Sequence, residues 1–190
     1  EIIEVFYPKP LINPTAESAS AIINLCTEVS GNGFIELTTD ATKSLSASLA
    51  DAGDSEQAEI AASLASSNKT LVCTLLRDNS APASIPEAFL KLHLLSHRLA
   101  LPHQLNLDGV FGVLKNLAWT NQGAVDLDDL PGRQLEARVK GDAFDVYSVD
   151  KFPKMTSYVV PTGVRIADTA RIRLGAYIGE GTTVMHEGFV

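Results

Sequence analysis

The chain has 190 residues, is 45% hydrophobic and carries a net charge of −8. That is enough apolar material for a real core in one or two domains, and the acid surplus argues against nucleic acid and anionic membranes as partners. No apolar run approaches the ~18 residues that a membrane span needs, and the opening Glu1-Ile-Ile-Glu-Val-Phe-Tyr7 has neither the basic region nor the cleavage site of a signal peptide, so a soluble, cytoplasmic protein is the expectation.

Residues 1–150 read as an α/β domain. Ile2 to Tyr7 is a candidate first strand. Asn13-Pro14 supplies a helix cap followed by proline at the first helical position, Ile22, Ile23, Cys26 and Val29 an apolar face, and Gly31 a stop. Gly33 to Leu37 reads as a short strand and Asp40 to Ala52 as a second helix, while Asp54-Ser55 caps a third that ends near Ser66. Thr70 to Arg77 is a continuous apolar run of strand length, the pattern of a buried central strand. After a loop, Pro86 and the leucines at 90, 94, 95 and 99 predict a longer helix ending before Pro102. Alternating strands and helices favour an α/β layer.

Residues 107–150 are interrupted by Gly109, Gly112 and Gly123 and by the acidic turn Asp126-Leu-Asp-Asp-Leu-Pro-Gly132. Leu135 to Val139 and Phe144 to Val149 read as a hairpin around Lys140-Gly141-Asp142. Residues 151–159, beginning Lys151-Phe-Pro-Lys154, are the link into the last segment. Cys26 and Cys73 sit in apolar stretches and read as buried free thiols.

Residues 160–190 change rhythm. Val160, Ile166, Ile172, Ile178, Val184 and Val190 are six apart, and each of the first five is followed four places later by a modest residue: Val164, Ala170, Ala176, Thr182 and Gly188. Neither a helix nor a flat strand has this period; a hexapeptide β-helix does. Three hexads make a triangular turn, so residues eighteen apart should stack: Val160 with Ile178, Ile166 with Val184, Ile172 with Val190. This is fewer than two turns, below the three or so repeats that a solenoid needs for stability, and the expectation is the front part of a longer protein. Arg165, Arg171 and Arg173 balance Asp168, Glu180 and Glu187 here, so the acid surplus lies upstream and the coil is the more hospitable surface for an anionic small molecule.

Three blocks, Asn116-Leu-Ala-Trp-Thr-Asn-Gln-Gly123, Ser148-Val-Asp-Lys-Phe-Pro-Lys-Met155 and Tyr158-Val-Val-Pro-Thr-Gly-Val-Arg-Ile166, precede Glu180-Gly-Thr-Thr-Val-Met-His-Glu-Gly-Phe-Val190. Together they resemble tetrahydrodipicolinate N-succinyltransferases, in the branch found in actinobacteria and pseudomonad-type bacteria, with the match running from about residue 107 to the end. The resemblance implies an α/β N-terminal domain followed by the first turns of a left-handed parallel β-helix. It also implies a homotrimer with active sites between neighbouring subunits, and succinyl transfer from succinyl-CoA, a co-substrate, to the amino group of 2-amino-6-oxopimelate in diaminopimelate and lysine biosynthesis. Later coils would complete the CoA groove, so the 190-residue piece alone should have little turnover.

Amide formation from a thioester needs a base for the amine proton, donors for the tetrahedral oxyanion and cationic anchors for a dicarboxylate. The resemblance places the functional glutamate at Glu187, off the core three places after Val184. His186 is the alternative base, with Asp168 one turn below it to orient or pair the imidazole. Arg165, Arg171 and Arg173 are the substrate-binding candidates, set against a reading as surface arginines whose stems cover coil wall. No metal is expected. His93 and His97 are four apart on a predicted helix, but with no third ligand evident they read as helix-surface residues. Asp126, Asp128 and Asp129 read as a solvated turn, Gly109-Val-Phe-Gly112 lacks the ending of a phosphate loop, and Trp119 reads as a packing residue. Two other classes share the coil: a γ-carbonic-anhydrase-like lyase, which needs zinc-binding histidines where the coil has only His186, and a non-catalytic trimerisation or binding module.

Overall fold

The structure, a computed structural model, describes residues 1–190. Six helices run in chain order: α1 (Ala16–Leu25), α2 (Thr39–Asp51), α3 (Ser55–Leu64), α4 (Ile85–Ser96), α5 (Val110–Val113) and α6 (Leu130–Lys140). The strands are β1 (Gly33–Leu37), β2 (Leu71–Leu75), β3 (Leu117–Thr120), β4 (Gly123–Asp126), β5 (Val146–Asp150), β6 (Arg165–Ile166) and β7 (Thr183–Val184). They form an antiparallel β1-β2 pair, an antiparallel sheet in the order β4-β3-β5, and a parallel β6-β7 pair.

The caps of the N-terminal helices follow local chemistry. Thr15, Thr38, Asp54 and Ser84 each accept a hydrogen bond from the backbone N–H three residues on. Asp54 is the cap expected for α3, but α1 begins after Thr15 rather than at Asn13-Pro14, and it ends at Cys26, five residues before Gly31. Ile2 to Tyr7 belongs to no ladder. It is held by single bonds instead: the Tyr7 N–H donates to Nε2 of His93 at 3.3 Å, and the Glu4 carboxylate accepts from the Ala124 N–H and from the Tyr158 hydroxyl. The run 70–77 gives β2, but β2 pairs only with β1 and is half-buried throughout, so it is not a central strand.

Helix α4 is the hub. Every residue from Pro86 to Ser96 is buried. Ala88, Phe89 and Leu92 join Leu117, Trp119, Met155, Val159, Ile172, Leu174, Ile178 and Val184 in the largest apolar cluster, so helix, sheet and coil share one core. Trp119 packs there, and its Nε1 donates to the Asp150 carbonyl at 2.9 Å. Lys91, 1% exposed, donates to the carbonyls of Ser80 and Asn106 and ties two loops to the helix.

The histidine within α4 is not a surface group. His93 is fully buried, its Nδ1–H donates to the Phe89 carbonyl at 2.8 Å and its Nε2 accepts from Tyr7. Burial lowers its pKa to about 4. His97 stacks on it with ring centroids 6.1 Å apart, and its Nε2 is buried without a partner. His93 faces the core because nearly the whole circumference of α4 is enclosed, whereas His97, one residue past the helix end, is half-buried. Of the two free thiols, Cys26 is buried and Cys73 half-buried.

The hairpin expected over 135–149 is absent. Residues 130–140 are helix α6, with Pro131 in its first turn and Gly141 at φ +78° closing its end, where the Asp142 and Gly141 N–H groups bond the Ala137 and Arg138 carbonyls. Strand β5 pairs instead with β3, which also forms a hairpin with β4 through Asn121-Gln122.

The coil stacks on two of its three expected rungs. Ile166 pairs with Val184 in parallel register. Val190 lies beside Ile172, its N–H donating to the Arg171 carbonyl at 2.9 Å and its carbonyl accepting from Arg173 at 3.2 Å. Ile172, Ile178 and Val184 are 0%, 2% and 5% exposed. The third rung fails: Val160 is 69% exposed. A 3-10 turn over Met155–Ser157 advances the phase by one residue, so Val159, whose N–H bonds the Met155 carbonyl, is the side chain that enters the core.

Candidate functional site

The coil positions its polar side chains through the same ladder that buries its aliphatic ones. In β6, Ile166 points inward, so its neighbour Arg165 points out. Asp168 accepts from the Ala170 N–H at 2.9 Å and starts a 3-10 turn that carries Arg171. On the next coil, the Gly188 N–H closes a turn onto the Met185 carbonyl at 2.9 Å, and His186 and Glu187 occupy its exposed tip.

Two of the sequence-derived candidates meet. Nη2 of Arg171 lies 3.9 Å from Oε2 of Glu187, and Nε of Arg171 lies 3.6 Å from Oδ2 of Asp168. The Glu187 side chain is otherwise open, 94% exposed. Asp168 therefore engages Arg171 and its own turn, and forms no hydrogen bond or ion pair with His186. Arg173 turns the other way, 3.0 Å from Oδ2 of Asp150 and over the Phe152 ring. Arg165 projects from β6 without an ion-pair partner. No three His, Cys, Asp or Glu side chains converge to hold a metal ion.

Contacts from α4 that sequence reasoning missed fix the coil against the rest of the fold. Ser96 Oγ accepts from the Gly175 N–H at 2.9 Å and donates to the Ala176 carbonyl at 3.1 Å. Arg98, at φ +62°, donates from Nε to the Ile178 carbonyl at 2.6 Å and from Nη2 to the Thr162 carbonyl at 2.9 Å. The only prior signal was the Ser-His-Arg ending of a strong helix pattern, a sequence with no distinctive chemistry. The linker adds an edge: Met155 N–H to the Ile172 carbonyl and Leu174 N–H to the Pro153 carbonyl, at 2.8 and 2.9 Å.

The cavities divide in the same way. One of about 1290 Å³ lies in the N-terminal part, between residues 1–14, α1–α3, β2 and α4, away from the coil groups. A second, of about 530 Å³, opens where the loop after α4 meets the coil, lined by Leu95, His103, Asp108, Gly175, Tyr177 and Val190 among others. Around Asp126, the acidic turn is partly engaged: its carboxylate accepts from the Asp128 N–H and lies 3.4 Å from Lys115 Nζ, and these bonds hold its pKa below the ordinary range.

Comparison with known proteins shows what this sequence is similar to. Residues 114–154 match the middle region of tetrahydrodipicolinate N-succinyltransferase. The chain is 58% identical over 188 residues to the 2,3,4,5-tetrahydropyridine-2,6-dicarboxylate N-succinyltransferase of Pseudomonas paraeruginosa, covering 99% of this chain and 54% of that one. The Vibrio cholerae protein of the same name is 46% identical over 190 residues, covering 100% of this chain and 55% of that one. A solved Campylobacter jejuni structure, described as a candidate 2,3,4,5-tetrahydropyridine-2-carboxylate N-succinyltransferase, superposes with a TM-score of 0.82 at 20% identity, covering 97% of this chain and 52% of that one; it is alike in fold. The chain spans about half the length of the curated relatives it matches. Over that span its sequence is similar to those of tetrahydrodipicolinate N-succinyltransferases.

Proposed function

We propose that the whole protein transfers succinyl from succinyl-CoA to the amino group of 2-amino-6-oxopimelate, the open form of tetrahydrodipicolinate, in diaminopimelate and lysine biosynthesis. The observation that carries this reading is the 58% identity over 188 residues to a relative with that acceptor and that group transfer in its name. The aliphatic ladder of 166–190 supports it by giving the outward side chains a rigid wall to stand on.

In this reading Glu187, on its exposed turn, takes a proton from the acceptor's amine as the nitrogen bonds to the thioester carbonyl carbon. Collapse of the tetrahedral intermediate breaks the C–S bond. The departing thiolate receives the proton that Glu187 holds, leaving an amide, free CoA thiol and the carboxylate restored. His186 beside it is the rival for the same role. Arg165 and Arg173 are the anchors proposed for the acceptor's two carboxylates, since a guanidinium fork matches a carboxylate in two places. The reading also includes a left-handed coil, a cytoplasmic homotrimer with sites between subunits, and a functional division into an N-terminal domain of residues 1–150, a linker of 151–159 and a coil from 160. Within the chain, no helix is long and apolar enough to cross a membrane.

The test is release of CoA thiol by the purified full-length protein, supplied with succinyl-CoA with and without tetrahydrodipicolinate. Acceptor-dependent release with formation of the N-succinyl product is the expected result. Release no faster with acceptor than without it overturns the reading.

A further inference from the structure

Arg171 and Arg165 occupy equivalent outward positions in consecutive hexads, yet their surroundings differ. Arg165 faces no carboxylate within ion-pair distance, whereas Arg171 sits between two, with Nε 3.6 Å from Asp168 and Nη2 3.9 Å from Glu187. Its backbone is held as well: the Arg171 carbonyl accepts from Val190 at 2.9 Å, and two residues on the Arg173 N–H donates to the Val190 carbonyl at 3.2 Å. Asp168 is itself fixed by the Ala170 N–H. The guanidinium therefore has one edge anchored in its own turn and the other directed at the coil above.

We infer that Arg171 is a positioning residue for Glu187 rather than an anchor for substrate. This rests on the reading of Glu187 as the base. A glutamate with 94% of its side chain exposed samples several rotamers when free, and a base must sit within hydrogen-bond reach of the proton it removes. Arg171 draws one oxygen, Oε2, and so aims the other, Oε1, away from the guanidinium and toward the space over the coil wall. In the open chain such a pair adds little to stability. Once substrate displaces water, the lower effective dielectric strengthens it. Asp168 and Glu187 hold the guanidinium from both sides, which leaves the substrate carboxylates to Arg165, with no carboxylate neighbour, and Arg173, with one.

The experiment is steady-state kinetics on the full-length enzyme for Arg171→Gln, Arg171→Lys, Glu187→Gln and the Arg171→Gln/Glu187→Gln double variant, with thermal melts to establish that each folds. A positioning role gives a kcat about 10- to 100-fold lower in Arg171→Gln, an acceptor KM within about 2-fold of wild type because uniform binding is untouched, and substantial recovery in Arg171→Lys, which keeps the charge. The double variant is then no slower than Glu187→Gln alone, because a group that acts through another has nothing left to act on. A raised acceptor KM with kcat intact makes Arg171 a substrate anchor and overturns the inference. So does a double variant whose losses multiply, or an Arg171→Gln enzyme of normal kcat beside a crippled Glu187→Gln. Normal turnover in Glu187→Gln removes the base itself, and the inference with it. If Arg171→Gln fails to fold, Arg171→Lys decides the matter through the same division between kcat and KM.

Discussion

Arg98 donates from Nε to the carbonyl of Ile178 at 2.6 Å, and its Nη2 reaches Thr162 at 2.9 Å, so a single side chain after α4 grips two successive coils. Hydrogen bonds from a charged donor each contribute about 1.5–3 kcal/mol. Arg98→Ala is therefore expected to destabilise the chain by about 2–4 kcal/mol in urea unfolding. Arg98 also holds a left-handed backbone, φ +62°, which costs a residue with a side chain about 1 kcal/mol and glycine almost nothing. Arg98→Gly should accordingly be less damaging than Arg98→Ala, the reverse of the order found in an ordinary loop.

At Gly175 the coil backbone lies close against α4. A Cβ there would stand 2.5 Å from Cδ2 of Leu92, on a backbone at φ +100°. Gly175→Ala is expected to lose about 2–4 kcal/mol, from overpacking and backbone strain together. Shortening the neighbour in a Leu92→Ala background relieves only the first contribution, so in that background the cost of Gly175→Ala should fall without vanishing. Chemical denaturation of the four proteins in the cycle measures this directly.

His93 gives the fold a pH dependence of known sign. Its folded pKa is depressed by burial to about 4 against 6.5 when exposed, so between these values the unfolded chain binds the proton and the native chain does not. Stability is therefore full above about pH 6.5 and declines as pH falls toward 4. About 2 kcal/mol of it should go between pH 7 and pH 5 through this group. The urea midpoint should drop across that interval in the wild-type chain and drop less in His93→Gln, whose amide can still meet the Tyr7 N–H and the Phe89 carbonyl. Equal drops in both proteins would assign the acid sensitivity elsewhere.

For Glu187, the full-length Glu187→Gln enzyme is expected to turn over about 100-fold or more slowly, the scale of a lost general base, with its melting temperature within about 2 °C of wild type because the side chain is exposed. His186→Gln in parallel separates the two candidates. A larger kcat loss there than in Glu187→Gln would move the base one residue back.

What was readable in the sequence was what short-range chemistry decides. The six-residue rhythm located the Ile166–Val184 and Ile172–Val190 neighbours because both depend only on spacing along the coil. Val160 failed because a 3-10 turn just upstream shifts the phase, and such a turn has no strong signature in Met155-Thr-Ser157. Residues 135–139 read as one arm of a hairpin because Lys140-Gly141-Asp142 looks like its turn. The deciding facts were Pro131 and Gly141 at the two ends, the start and stop signals of a helix. The buried position of His93 and the grip of Arg98 come from tertiary packing around α4, which no local pattern announces. The pairing of Arg171 with Glu187 lay between: spacing brings the two coils together, but only the turn at Asp168 decides which arginine faces the glutamate.

The parallel register of Ile166 with Val184 sets a rule for how this segment can change length. Removing one residue between them would rotate every later rung out of the interior and send Ile172, Ile178 or Val184 to the surface in exchange for polar neighbours. Excising one hexad would keep the aliphatic residues inward but carry every later side chain to a different face, whereas excising a full circuit of eighteen would keep both phase and face. Viable deletions in such a wall should therefore be quantised, and a lineage that shortens it should do so by whole circuits.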